Sequence, residues 1–145
     1  MASHTRVPDQ LPAHADSGKH LAVLAQALYL CNLLVAPGLA FAALLWLWFK
    51  HKDSAPPLAR LHLAQATFVS VIGGILIVCI SAVLVAMGGL QWPWTWVVVI
   101  TYFVCIHGAL VLLGMFALAK AMAGQAWRYP LIGPRLAPDP LQQAG

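Results

Sequence analysis

Three stretches of this chain, residues 21–49, 66–87 and 94–118, contain no Asp, Glu, Lys or Arg. Each exceeds the roughly 20 residues that carry a helix across a bilayer core of about 30 Å. In lipid the backbone must satisfy its own hydrogen bonds, so runs of this kind are helical. The residue-by-residue alternation of a membrane barrel is absent. Composition agrees: charged residues make up 8% of the chain and hydrophobic ones 61%, against about 25% charged in a soluble domain. A water-soluble fold with so little charge would expose large apolar patches. The expected fold is therefore all-α, an integral membrane helical bundle with three transmembrane helices.

Residues 1–19 read as a disordered polar tail with Pro8 and Pro12, which also argues against a cleaved leader. The transmembrane domain is expected over residues 20–124. Its first run is interrupted at Pro37-Gly38, where the missing proline donor kinks or breaks a helix. Asn32 lies just upstream, with an amide able to bond a freed carbonyl. A single kinked span is the expectation, with a re-entrant hairpin of two short helices as the alternative. Pro56-Pro57 suits a helix start. From 58 to 65 that helix is amphipathic, with Arg60, His62 and Gln65 among leucines, as in an interfacial segment. It is expected to end at Gly88-Gly89, and the third helix near Gly124. Residues 125–145, with Pro130, Pro134, Pro138 and Pro140, are expected to be an extended cytoplasmic tail.

With three spans, Arg6 and Lys19 share a side with the uncharged second loop. Lys50, Lys52, Arg60, Lys120, Arg128 and Arg135 share the other. The positive-inside rule then puts the amino terminus outside and the carboxyl terminus in the cytoplasm of a bacterial inner membrane. A hairpin at Pro37 would bring the amino terminus inside. Trp46, Trp48, Trp92, Trp94, Trp96 and Trp127 all fall at expected span ends, the headgroup level that indole prefers.

Chemistry-bearing residues are few. The net charge of +4 sits at the ends of apolar runs, a pattern of membrane orientation and not of a nucleic-acid face. Cys31, Cys79 and Cys105 lie inside the runs without paired spacing and read as buried hydrophobes. His107, near the middle of the third span, is an ionisable group at membrane depth and so a functional candidate. His62 should lie roughly 20 Å away in depth at 1.5 Å per residue, so the two cannot share a metal or haem. No metal-ligand spacing occurs. Asp9, Asp16, Asp53 and Asp139 all lie in tails or loops, and neither a nucleophile elbow nor a phosphate loop is present. No catalytic site, cofactor or metal is expected. Ser70-x-x-x-Gly74 and Ala117-x-x-x-Ala121 are small-residue faces suited to helix packing, within the chain or between chains.

After the third span the chain reads Ala123-Gly124-Gln125-Ala126-Trp127-Arg128-Tyr129-Pro130-Leu131, and the second helix opens with His62-Leu63-Ala64-Gln65-Ala66. These segments resemble bacterial small membrane proteins of unknown function related to the membrane subunit of the chloroplast inner-envelope import translocon. Phe68-Val69-Ser70 stands where that family has Asn-Phe-Gln. Residue by residue, Arg128, Tyr129 and Pro130 match its closing motif; read bottom-up, Arg128 and Tyr129 anchor at the headgroups. The resemblance implies an import-component-like membrane subunit. The leading expectation is a non-enzymatic subunit or scaffold with the lipid bilayer and a membrane protein, or further copies of itself, as partners. The alternatives are an oligomeric channel or transporter component using Asn32 and His107, and a haem or redox accessory using His107.

Overall fold

The computed structural model describes residues 11–130, with side chains from residue 18 onward. Four helices occur there and no strand: α1 (Leu11–Leu34), α2 (Leu39–His51), α3 (Pro57–Gly88) and α4 (Pro93–Met122). Two of them, α3 and α4, are long and apolar enough to cross a membrane. Their 32 and 30 residues span about 48 and 45 Å at 1.5 Å per residue. Helix already runs through residues 11–19, which the sequence reading gave to an unstructured tail. The segment 125–130 has no helix; residues 1–10 and 131–145 lie outside the described part.

The first of the three expected spans is not one kinked helix; the alternative of two short helices is what forms. At Pro37-Gly38 the first run is broken, and α2 folds back along α1. Leu24 and Leu47 line one crevice, together with His20 and His51. In a continuous helix Leu24 and Leu47 would stand about 35 Å apart. The apolar part of α1 and the 13-residue α2 each reach only about 20 Å, which is too short to cross. The turn follows from its residues. Gly38 adopts φ 88°, a left-handed value that costs other residues roughly 1–2 kcal/mol. Its N–H donates to Asn32 Oδ1 at 3.0 Å. Asn32 thus caps the turn with its carbonyl oxygen, where its amide was expected to bond a carbonyl.

Gly18 packs against Pro56, so α1 enters at the end where α2 finishes, α3 starts and α4 finishes. All four helices meet there. The core comprises Ala25 and Tyr29 of α1, Leu44 and Leu47 of α2, Leu63, Ala66 and Val69 of α3, Leu110 and Ala117 of α4, and Tyr129. Ala117 and Ala121 are fully buried, so this small-residue face packs within the chain. Close approach is also made at Gly114, where an added Cβ would meet the Tyr29 ring, and at Gly73, against Leu110. Beyond Gly74 only α3 and α4 continue, joined near their tip by Gly88 packed on Thr95. There Val78, Met87, Ile100 and Val104 are each more than half exposed. The molecule is four helices thick at one end and two at the other.

Candidate functional site

Two groups of polar side chains lie inside this apolar frame. The first closes the four-helix end. The last turn of α4 finishes in a Schellman motif: Gln125 N–H donates to Lys120 O, Gly124 N–H donates to Ala121 O, and Gly124 has φ 67°. That reversal turns the chain back over α1 and α3. Gln125 O thereby meets His62 Nε2 at 3.1 Å. A carbonyl only accepts, so Nε2 carries the proton, and Nδ1 accepts from Gln26 Nε2 at 3.2 Å. The same Gln26 amide donates to His62 O at 3.2 Å. Gln26 Oε1 accepts from the Tyr129 hydroxyl at 3.1 Å, and Tyr129 N–H donates to Gln65 Oε1 at 3.1 Å.

Gln26, His62 and Gln65 are fully buried, and Tyr129 nearly so. His62 lies on the first turns of α3, before the apolar run that begins at Ala66 and is long enough to cross a bilayer. Burial lowers its pKa, opposed by the bond to Gln125. Burial also raises the pKa of the Tyr129 hydroxyl, further raised by Tyr29. Both groups are neutral at pH 7. With its ring atoms and amide oxygens committed, this cluster is a clasp joining α1, α3 and the segment after α4. Among the clasp's buried polar atoms, Gln65 Nε2 is left without a partner.

The second group lies deeper. Asn32 at the hairpin turn, Ser70 on α3 and His107 on α4 line one crevice of about 230 Å³, with Leu33, Pro37, Gly74 and Phe103 among its walls. Ser70 is more than nine-tenths buried, and its hydroxyl has no partner. His107 stacks on Phe103 with ring centroids 5.1 Å apart and planes 13° from parallel.

The sequence candidates therefore separate into two places. His62 and Gln65 belong to the clasp, and Asn32 and His107 to the deep crevice. Among the described residues no group of three or more His, Cys, Asp or Glu could hold a metal ion. Of the closing motif, Arg128 and Pro130 are exposed, whereas Tyr129 is buried; Tyr129 is a clasp member and not a headgroup anchor. Sequence reasoning missed Gln26 and Tyr29. Gln26 does carry a signal, as one of two amides, with Asn32, in a charge-free run, where a polar group needs a partner. Tyr29 donates to Leu110 O at 3.1 Å, a contact between residues far apart in the chain.

A family model described as the magnetosome magnetite crystal formation protein family (MamF/MmsF) matches residues 17–136. No curated protein and no solved structure matches the chain. The family match overturns the resemblance to import-translocon relatives. The residues that suggested it have a local explanation: Gly124 is required by the Schellman turn, and Tyr129 closes the clasp.

Proposed function

We propose, on the premise that the chain belongs to the magnetosome magnetite crystal formation protein family, that it is a non-enzymatic scaffold subunit of the magnetosome membrane. It acts in crystal formation by packing against neighbouring membrane proteins or further copies of itself. The observation that carries this reading is the two-helix half of the molecule, where α3 and α4 extend without cover from the other described residues. A second observation supports it. Iron and other hard cations are held by oxygen ligands such as carboxylates, yet the chain has no Glu, and Asp53 is the only Asp between residues 18 and 130. A carboxylate array for mineral would have to come from neighbours or from elsewhere in the chain.

The hairpin sets the orientation in this proposal. Lys19, Lys50, Lys52, Arg60, Lys120 and Arg128 all sit at the four-helix end, while the loop between α3 and α4 has no charge. By the positive-inside rule the thick end is cytoplasmic, and α1 begins on that side. The amino terminus, expected outside when the first run was read as one span, then lies with the carboxyl terminus in the cytoplasm.

Deleting the gene in a magnetosome-forming bacterium should change the size or number of magnetite crystals in electron micrographs. A carboxyl-terminally tagged copy should restore them and bring down a stoichiometric membrane partner, or itself, in mild detergent. Unchanged crystals, with a tagged protein that purifies as a lone monomer, would sink the proposal. The convergence of Asn32 and His107 in one crevice favours a transport component as the second reading. Ion flux in liposomes that survives His107→Ala and Asn32→Ala would remove those residues from it.

A further inference from the structure

Three elements bring polar groups to one place at membrane depth. His107 follows Pro93, the first residue of α4, by 14 positions, or about 21 Å, which is mid-bilayer. The Ser70 hydroxyl is buried without a partner. Such a group costs on the order of 1–3 kcal/mol when left unsatisfied. Asn32 uses its oxygen on Gly38 N–H, and its amide N–H₂ donates to no group among the described residues. The remaining walls are apolar, Leu33, Pro37, Ile77 and Val78, with Phe103 and His107 as a stacked aromatic pair. Lys and Arg are absent from the lining, so an anionic headgroup finds no counter-charge. A volume of about 230 Å³ is smaller than a drug-sized pocket and suits one ring.

We infer that this crevice binds the head of a membrane-dissolved, uncharged, carbonyl-bearing ring compound of the isoprenoid quinone class, with the tail left in lipid. The ring lies against the Phe103–His107 wall. Its carbonyl oxygens accept hydrogen bonds from Ser70 Oγ and Asn32 Nδ2, which fills donor capacity the fold leaves unused. Binding is the whole of the inference, and it stands independently of the scaffold reading.

The full chain in nanodiscs is titrated with decylubiquinone, following saturation-transfer NMR and thermal stability. Saturable binding with a rise in Tm is expected. Ser70→Ala should weaken it by about 3–10-fold, the value of one hydrogen bond. Gly74 lines the crevice with open space around its Cβ position. Gly74→Leu should therefore abolish binding without lowering the Tm of the free protein, which separates blockage from misfolding. Three outcomes would overturn the inference: no saturable binding, binding retained in Gly74→Leu, or equal binding of decanoic acid, which would make the crevice a general acyl groove.

Discussion

Protonation of His62 would set its Nδ1–H against the Gln26 N–H₂ that now donates to it. Flipping the Gln26 amide does not solve this, because its oxygen would then face His62 O and its nitrogen would replace the acceptor of Tyr129 O–H. The charged form is thus disfavoured, in line with the lowered pKa. The sign is set accordingly. Stabilisation by neutral His62 is complete above the unfolded value of about 6.5 and is lost as pH falls through that value toward the lower folded one. Thermal unfolding in mild detergent should show a lower Tm at pH 5 than at pH 7.5, and the difference should shrink in His62→Phe. Gln26→Leu should cost about 2–4 kcal/mol, because it strands the His62 Nδ1 acceptor and the Tyr129 hydroxyl in an apolar core; an unchanged Tm would show that the clasp contributes nothing. His62 and Gln65 were legible as a polar pair, but an interfacial helix face is just as polar. Only the return of the chain at Gly124 turns that face inward, and the partner that receives it, Gln26, lies 36 residues upstream of His62.

At the level of elements, the ends of α3 and α4 were legible because their signals are local: Pro57 at a helix start, Gly89 and Gly124 past helix ends. The Pro37-Gly38 break was legible as a break, with reversal as the second of its two readings. A kink and a hairpin begin with the same two residues, and what separates them is the packing of Leu44 and Leu47 beside Ala25 and Tyr29 in one core. That distinction can be measured. With Cys31, Cys79 and Cys105 replaced by Ala, a Leu24→Cys, Leu47→Cys protein in native membranes should be joined by a short bismaleimide. A continuous helix, with about 35 Å between these positions, would stay unlinked. Gly114→Leu should destabilise by about 1–3 kcal/mol, since the Tyr29 ring already occupies the space a side chain would need. Melting at the wild-type temperature would contradict the close packing of α1 on α4.

For the whole molecule, the expected orientation with the amino terminus outside rested on an odd number of crossings. With α3 and α4 as the crossings and the hairpin returning to its own side, single cysteines at Lys19, Lys52 and Arg128 should react with an impermeant maleimide from one face of the membrane. A cysteine at Gln91 should react from the other. Labelling of the Lys19 and Gln91 positions from the same face would restore the single kinked span. The uneven thickness of the bundle has a mechanical consequence. A hairpin that enters one leaflet and turns back adds area to that leaflet alone, while the opposite leaflet accommodates only two helices. In the proposed topology each copy would be a wedge, and a patch of them would relax by bending, with its basic face on the convex side. A flat membrane holding enough copies would be drawn toward a bud, so the protein should partition into small, tightly curved vesicles over large flat ones.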